Sequence, residues 1–312
     1  MRSIFFRIGL PLVDRVVRTL PSGAAYELAR VAGEIWYRLA GERRRLVAES
    51  LARVCAATGR PASGRALRRM VRAAFVSYAS YWVEMLRSPD YRDEAVDSYI
   101  SIPPSTWENL EPVLRGGAVV AVPHLGNFEP FGHFMAVHGL RTVAPVEVTE
   151  PRELFEFLLS RRVGGRHHDE RAVEIVPLEH AFRPMLAALR HGGVAALVAD
   201  RDLTGDGIEV TMFGHRTTLP AGPATLALRT GKPLMVARVL RTGPDRFSGD
   251  AWPVNVPLSG DRRRDTQALT EGIAAGFERA IAEAPEQWWA SFQPFWLDQR
   301  QRADAGPTGV EA

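Results

Sequence analysis

Residues 117–134 read GAVVAVPHLGNFEPFGHF, and this stretch decides the fold. The apolar run Ala118–Val122 predicts a buried strand, which a proline ends. His124 follows at once, a Gly-Asn pair forms a turn, and Glu129 lies in the first turn of the next predicted helix. The pattern predicts an acid–base side chain at the carboxyl end of a strand, where open α/β sheets place their chemistry.

The residues alone leave two interpretations of His124 open: an acid–base group, or a structural histidine bonded to the backbone. The His-x₄-Glu spacing adds a constraint. On one continuous helix, at ~100° per residue, the two side chains would lie on different faces. They can converge only if His124 lies in the turn before the helix, which Pro123 and the pair Gly126-Asn127 favour.

From about residue 99 onward, apolar strands alternate with helices. Further strands are predicted at Val143–Val148, Val173–Val176, Val194–Ala199, Glu209–Phe213 and Leu234–Leu240, with an edge strand at Trp252–Val256. Helices are predicted at Glu129–Val137, Glu153–Arg162, Phe182–Arg190, Pro223–Thr230 and Gln267–Ala282. This alternation predicts an α/β fold, with a largely parallel central sheet flanked by helices on both faces.

The first part of the chain has a helical pattern instead. We expect residues 1–98 to form an N-terminal helical region packed on an α/β core of residues 99–300, as one structural domain, followed by a mobile polar tail at 301–312. The predicted helices are Gly23–Ala40, capped by Ser22, then Glu42–Thr58 and Ala66–Leu86. The last carries an aromatic stripe, Phe75–Trp82, which is either a core face or one wall of a lipid groove.

Composition sets the broad class of the protein. The chain has 312 residues and 46% hydrophobic content, which is ample for a core, and no run of 18 apolar residues that would predict a membrane-spanning helix. The single cysteine, Cys55, excludes an intrachain disulfide and fits a reducing compartment; on a helix it is also an ordinary small buried group. The net charge is +3, and the arginines are dispersed among acidic residues, so no nucleic-acid partner is predicted.

Several catalytic classes lack their signatures in this chain. There is no Gly-x-Ser-x-Gly elbow, no Walker loop and no dinucleotide-binding glycine fingerprint. The other histidines show no ligand spacing, so no metal is predicted; they are His133, His138, His167, His168, His180, His191 and His215.

The string Pro-His-x-Gly-Asn-x-Glu at 123–129 closely resembles the His-x₄-Asp/Glu motif of the glycerolipid and lipid A acyltransferase superfamily. Its finer match is to the actinobacterial phosphatidylinositol mannoside acyltransferases. Three further blocks follow in that family's order: Leu197–Leu203, then Met212–Gly214 with Leu219–Ala224, then Pro285–Trp289 with Phe292–Pro294. The closing block continues into Phe295-Trp296 rather than into the basic residues usual in the lipid A branch.

The resemblance implies an acyltransferase that moves a long fatty acyl chain from acyl-CoA to a mannose hydroxyl of a phosphatidylinositol mannoside. Acyl-CoA is then a co-substrate, and no cofactor or metal is expected. Two alternatives stay open. One is a lipid A type acyltransferase with a different glycolipid acceptor, and the other is a lipid-binding protein that keeps the fold without the reaction.

Acyl transfer to a hydroxyl needs a base, which we assign to His124, and an acidic partner that fixes its tautomer. Asp200 ends the predicted strand Ala195–Ala199, whose neighbour in the sheet can be the strand that ends before His124. We therefore expect Asp200 to orient His124 and Glu129 to bind or orient the sugar acceptor. The opposite assignment of the two carboxylates stays open, because other branches of the superfamily give the orienting role to the motif's own carboxylate.

Other polar residues complete the expected substrate groove. The resemblance implies that Glu147 and Arg162 line it, where an arginine can meet a phosphate of coenzyme A or of phosphoinositol. Arg201, beside Asp200, and Asn127, in the turn, are also assigned to substrate binding. A solvated surface position is the plain alternative for Glu147 and Arg162.

A lipid acceptor and a cytosolic donor imply work at a membrane boundary. We expect a peripheral protein on the cytoplasmic face of the plasma membrane, bound to an anionic membrane surface. The N-terminal segment offers apolar residues flanked by basic ones, the pattern of an interfacial helix. These are Ile4, Phe5, Phe6, Ile8, Leu10 and Leu12, with Arg2, Arg7 and Arg15. Packing of the same residues on the protein's own helices is the alternative, and Pro11 can break the helix.

Overall fold

The computed structural model of the protein describes residues 9–163 and 173–304. The N-terminal residues up to Ile8, the pair His167-His168 and the end of the predicted tail, 305–312, lie outside the described residues. Of that tail, residues 301–304 belong to the last helix described.

Twelve α-helices and nine strands form the described part of the chain. The helices are α1 (Leu10–Thr19), α2 (Ser22–Leu39), α3 (Gly41–Ala57), α4 (Gly64–Arg87), α5 (Val96–Tyr99), α6 (Pro104–Arg115), α7 (Glu129–Val137), α8 (Arg152–Val163), α9 (Phe182–Arg190), α10 (Gly222–Thr230), α11 (Arg262–Glu283) and α12 (Leu297–Asp304). The strands are β1 (Ile100–Ser101), β2 (Ala118–Val122), β3 (Thr142–Val146), β4 (Val173–Pro177), β5 (Val194–Val198), β6 (Ile208–Met212), β7 (His215–Leu219), β8 (Leu234–Gly243) and β9 (Arg246–Pro253).

A seven-stranded sheet in the order β1-β9-β8-β2-β5-β3-β4 forms the centre of the fold. Strands β8, β2, β5, β3 and β4 run parallel, and β9 returns antiparallel to β8. The pair β6–β7 forms a separate two-stranded antiparallel sheet. The predicted α/β fold with a largely parallel central sheet is therefore confirmed.

Helices cover both faces of this sheet, as predicted. On one face, Val120 and Val122 of β2 pack with Leu114 of α6 and Met135 of α7. On the other face, alternate residues of the same strand, among them Val119, belong to the main core with side chains from α9, α10 and α11. Because successive side chains in a strand point to opposite faces, each strand contributes to two different packing layers.

The N-terminal helices share the main core with the sheet region, since Leu51 of α3 and Phe75 of α4 are both fully buried in it. Helix α2 crosses α4 at Gly33, where a Cβ would lie 2.7 Å from the Val76 Cα. Only a residue without a side chain allows the two backbones to approach this closely. No helix within the described ranges combines the length and apolar character that crossing a bilayer requires.

Two local predictions were wrong. Ser22 is the first residue of α2 rather than its cap, and its hydroxyl donates to the Asp245 carboxylate, a partner far away in sequence. The strand expected at Trp252–Val256 is instead β9, which begins at Arg246 and lies between β8 and β1 rather than at the edge. A tight hairpin after β8 fixes where β9 starts, and Asp245 adopts a positive φ of 50° within it.

The close helix crossing gives a test of the packing. Changing Gly33 to Ala should destabilise the protein by about 1–3 kcal/mol, because the new methyl group overlaps the backbone of α4. The matched control is Gly23→Ala in the same helix, where a Cβ meets nothing within 4 Å. That change should stabilise by about 0.4–1 kcal/mol, because it restricts the unfolded chain. Urea unfolding of the three proteins measures both values, and equal effects at the two sites would contradict this account.

Candidate active site

His124 and Asp200 meet at the carboxyl ends of two adjacent parallel strands. Val122 of β2 is in register with Val198 of β5, and each functional residue lies two positions further along its chain. The His124 Nδ1 is 2.5 Å from the Asp200 Oδ1, and the His124 backbone N–H donates to Oδ2 over 2.8 Å. The expected neighbourhood of the two side chains is therefore present.

The Asp200 carboxylate is fully buried and satisfied by N–H donors only. Trp288 donates its indole N–H to Oδ2 at 3.0 Å, beside the two bonds from His124. Burial alone would raise the pKa of Asp200, but the imidazole and these hydrogen bonds outweigh it and leave the pKa below its usual value. An ionised carboxylate can only accept, so the His124 nitrogen that faces it, Nδ1, carries a proton, and Nε2 is the acceptor when the imidazole is neutral.

The His124 loop, residues 123–128, is fixed by the end of the chain. The Gly126 N–H donates to the Gln287 carbonyl at 3.0 Å, and the Trp289 N–H donates to the His124 carbonyl at 3.0 Å. Gly126 has a φ of 60°, and a Cβ there would overlap the carbonyl oxygen of Val239. Glycine is required at this position both for its conformation and for the close approach.

Glu129 does not hydrogen-bond to His124. Its Oε1 accepts from Arg162 Nε at 2.8 Å and from the Tyr81 hydroxyl at 3.1 Å. The Glu129 carboxylate is the main reason that the pKa of Arg162 is raised. Burial, reinforced by Glu129, raises the pKa of Tyr81 well above its usual value. The carboxylate of the His-x₄-Glu motif therefore holds an arginine in place at the site.

Asn127, expected to bind substrate, is fully buried. Its side-chain oxygen accepts from the Glu129 backbone N–H at 3.0 Å, and its amide donates to Glu84 at 2.9 Å. The amide oxygen and the amide nitrogen of Asn127 are thus both hydrogen-bonded within the protein. Asn127 therefore fixes the turn through these two bonds, and its expected contact with a substrate stays a prediction.

Glu147 and Arg201 lie on the rim of the site. Their side chains are half-exposed, and Arg201 Nη1 is 3.8 Å from Glu147 Oε2. Arg162 is less exposed, at 18% of its side chain, and faces the same space as both of them. The expected polar edge is therefore assembled from the ends of β3 and β5 and from helix α8.

A cavity of about 430 Å³ extends from His124 along one face of the sheet. Alternate strand residues line it, so that it continues from the carboxyl ends of the strands to their beginnings, roughly 13 Å at 3.3 Å per residue. The sheet residues in its wall include Val120, Val122, Thr142, Ala144, Val194, Ala196, Val198, Ala237 and Val239. Leu110 and Leu114 of α6 contribute to its opposite wall. Its size is within the ~300–1,000 Å³ of small-molecule sites, and its lining is mostly apolar.

Aromatic side chains cover the entrance beside His124. The Trp289 ring lies 4.4 Å from the His124 ring, centroid to centroid, and packs against Tyr81 and Phe128. Of the stripe Phe75–Trp82, Phe75 is buried in the main core, whereas Tyr78, Tyr81 and Trp82 line the cavity. One part of the stripe therefore belongs to the core and the other to the cavity wall, and the prediction that this cavity holds lipid stays a prediction.

The sequence did not indicate a site role for Trp288 or Trp289, and it indicated Tyr81 only as part of the aromatic stripe, without its hydrogen bond to Glu129. The two tryptophans lay in a recognised sequence block, but nothing local indicated that one would bond Asp200 and the other cover His124. Cys55 lies in the core away from the cavity, 3.4 Å from the Met70 sulfur, and burial raises the pKa of its thiol. Among the described residues, no three His, Cys, Asp or Glu side chains are placed to hold a metal ion.

The arrangement suits proton transfer next to an apolar chain. His124 Nε2 faces away from Asp200 and can accept a proton when the imidazole is neutral, Nδ1 is held by a buried carboxylate, and cationic groups at the rim can meet anionic substituents. The long apolar cavity adjoining the imidazole would receive a flexible hydrocarbon rather than a polar substrate.

Comparisons with known proteins agree with this geometry. Residues 7–302 match the model of the family described as bacterial lipid A biosynthesis acyltransferase. A phosphatidylinositol mannoside acyltransferase of Mycobacterium tuberculosis (strain CDC 1551 / Oshkosh) is 31% identical over 72% of this chain and 69% of its own length. One of Mycolicibacterium smegmatis is 29% identical over 94% of this chain and 92% of its own length.

Proposed function

Because this chain belongs to the bacterial lipid A biosynthesis acyltransferase family, we propose that it transfers a long fatty acyl group from acyl-CoA to a mannose hydroxyl of a phosphatidylinositol mannoside. The observation that carries the proposal is a His124 ring held by buried Asp200 at the mouth of an apolar cavity. The names of the mycobacterial relatives support the choice of acceptor.

In the proposed reaction, His124 Nε2 takes the proton of the acceptor hydroxyl as its oxygen attacks the thioester carbonyl. The tetrahedral intermediate collapses, the C–S bond breaks, and the imidazolium returns the proton to the departing coenzyme A thiolate. Asp200 stabilises the transient imidazolium and keeps Nε2 available. No acyl-enzyme is needed, and the buried position of Cys55 supports direct transfer.

The cavity is the proposed site of the acyl chain. Each methylene moved from water into such an apolar wall contributes ~0.8 kcal/mol, so a long chain gains substantial binding energy there. That energy holds the thioester carbonyl beside His124, which turns a two-substrate encounter into an oriented reaction.

The rim residues are assigned to the polar parts of the substrates. Arg162, fixed by Glu129, and Arg201, beside Glu147, are proposed to meet phosphate groups of coenzyme A or of the phosphoinositol headgroup. Glu129 keeps one carboxylate oxygen without a protein partner among the described residues, which supports a contact with the sugar acceptor.

We also propose peripheral binding at the cytoplasmic face of an anionic membrane. Helix α1 buries a charged side chain and exposes apolar ones. Asp14 is buried, with its Oδ2 2.9 Å from Arg161 Nη2, while Leu12, Val13 and Val16 are exposed. Pro11 lies in the first turn of α1, where proline is tolerated. Helix α2 exposes a second apolar row at helical spacing, namely Leu28, Val31, Ile35 and Leu39, the last of them 79% exposed. Exposed apolar faces of this extent favour a lipid partner.

Arginines near the end of α2 support the anionic character of that membrane. Arg65, Arg68, Arg69 and Arg72 are exposed on one face of the first turns of α4, around a shared hollow with Tyr37, and of these four Arg72 is already paired with Glu34 of α2. Positive charges at a helix N-terminus, and like charges three or four residues apart, are both unfavourable for the isolated helix. Phosphate headgroups would compensate these charges.

The function is tested with purified protein, radiolabelled acyl-CoA of several chain lengths and a panel of phosphatidylinositol mannoside and lipid A type acceptors. Wild type should acylate the mannoside, and His124→Asn should lose at least ~10²–10⁴-fold in rate, because the general base is gone. Asparagine keeps an amide donor for Asp200, which favours folding. His138→Asn is the matched control, since His138 is paired with Asp97 and does not line the cavity. Transfer only to lipid A type acceptors, or normal turnover by folded His124→Asn, would refute the proposal.

Variants of the two carboxylates, Asp200 and Glu129, should affect different kinetic constants. Asp200→Asn should lower kcat by up to about 10⁴-fold with little change in either KM, because an amide cannot stabilise the imidazolium. Glu129→Gln should mainly raise the KM for the acceptor, because it weakens the hold on Arg162 and the acceptor contact. Steady-state kinetics of both variants test this assignment. The reverse pattern would mean that Glu129 orients His124 and that Asp200 serves the acceptor.

Membrane binding should depend on the exposed rows of α1 and α2. The variants Leu12→Ser/Val16→Ser and Leu28→Ser/Ile35→Ser should each lower co-sedimentation with anionic liposomes, because they remove apolar area from the interface. These point changes are better than deletion of residues 1–19, which would also remove the buried Asp14 and Val17. Leu258→Ser is the control, an exposed leucine in the segment before α11. Equal binding by all folded variants would show that the membrane contact lies outside these two rows.

A further inference from the structure

A buried ion pair lies directly behind the His124 loop. Glu84 of α4 is fully buried, and its carboxylate pairs with the guanidinium of Arg241 from β8, with Arg241 Nη2 2.9 Å from Glu84 Oε2. The Tyr26 hydroxyl donates to the same carboxylate at 2.8 Å. Arg241 also donates to the Ser77 hydroxyl at 3.0 Å. Neither charge lines the cavity.

This pair is joined to the loop from two sides. Glu84 Oε2 accepts from the Asn127 amide at 2.9 Å, and Asn127 in turn accepts from the Glu129 backbone N–H. The backbone N–H and carbonyl of Arg241 are both bonded by the Gln287 side chain, at 2.8 and 2.9 Å. The Gln287 carbonyl accepts from Gly126, so that the loop is held at two successive residues.

Stability alone does not account for a charged pair at this place. Replacing a buried ion pair by well-packed apolar residues is often neutral or stabilising, because the desolvation of both charges is avoided. What an apolar pair cannot supply is a directional acceptor for Asn127. The geometry of the turn that carries His124 and Glu129 is therefore the property that the Glu84 carboxylate determines.

We propose that Glu84 is a positioning residue for acyl transfer, acting through Asn127 on the turn between β2 and α7. The inference rests on the proposed function, because it assumes that His124 and Glu129 act on the substrates. With Glu84 in place, Asn127 fixes the first turn of α7, Glu129 reaches Arg162, and His124 stays aligned with Asp200. Loss of the carboxylate should disturb the alignment of His124 and the contact of Glu129 with Arg162, and leave the apolar part of the cavity unchanged.

The test compares Glu84→Gln, Asn127→Asp and the double variant. Each single change should lower kcat by about 10²-fold, the scale of a small misplacement of reacting groups, and should change both KM values by less than it changes kcat. Glu84→Gln leaves a single acceptor oxygen for the donors of Arg241, Tyr26 and Asn127, and its new amide N–H group faces one of these donors. Asn127→Asp places two carboxylates against each other. In the double variant a Gln amide can donate to an Asp oxygen, which keeps the total charge and restores the hydrogen bond in reverse. It should therefore recover at least about a tenth of wild-type kcat, a non-additive effect expected only of directly interacting residues.

Asp265→Asn is the matched control. Asp265 is a buried carboxylate that accepts from the backbone N–H groups of Ser259 and Gly260, at 2.7 and 3.0 Å, at the start of α11. Its variant should lower the melting temperature and leave kcat unchanged. If Glu84→Gln behaves in the same way, or if the double variant recovers stability without kcat, Glu84 is structural and the proposal is overturned.

A second readout does not need activity. Hydrogen–deuterium exchange of the Gly126 and Glu129 amides should be faster in Glu84→Gln than in wild type and should return toward wild type in the double variant. Unchanged exchange at both amides would overturn the proposal. If wild type acylates no acceptor while exchange follows the expected order, the proposed function fails and Glu84 is still shown to set the loop.

Discussion

The buried carboxylate of Asp200 is the interaction on which the rest of the site depends. A fully buried charge is costly unless each of its oxygens is hydrogen-bonded, and here three N–H groups from two distant segments supply those bonds. His124 can contribute two of them only if β2 and β5 are adjacent, parallel and in the observed register. Trp288 contributes the third only if the last part of the chain returns to the sheet. The site therefore forms only when the sheet has its observed strand order and the last part of the chain packs against it.

The same sheet explains why a cavity adjoins this carboxylate. One face of β2 and β5 packs tightly on helices of the main core, whereas the other carries small or β-branched residues such as Ala196 and Val120 that leave room beneath α6 and α7. Strand alternation thus gives one face to the packed core and the other to the cavity. Since β2 ends at the His124 loop, the apolar space and the imidazole meet without any further element.

Sequence patterns predicted the sheet, most helices and the pairing of His124 with Asp200, because each of these follows from local periodicity and from where strands end. They could not predict Trp288, Glu84 or Arg241, whose contacts join segments up to 157 residues apart. Polar residues at such positions look the same in sequence whether they are solvated or buried. The burial of Asn127 was not predicted for a related reason: a turn residue is expected to be accessible, but this turn is covered by α4 and by the closing segment.

The His-x₄-Glu spacing also has a different physical meaning from the one its proximity in sequence suggests. A turn and the start of a helix lie between the two residues, so their side chains have different partners. His124 is bonded to Asp200, whereas Glu129 accepts from Arg162 of α8. Two carboxylates with different environments can then do different work. The fully buried Asp200 keeps a fixed negative charge beside the imidazole, and Glu129, at the edge of the cavity, fixes a cation where substrate charges would arrive. The motif therefore ties His124 and the cationic rim to a single turn, so that a displacement of that turn moves both at once.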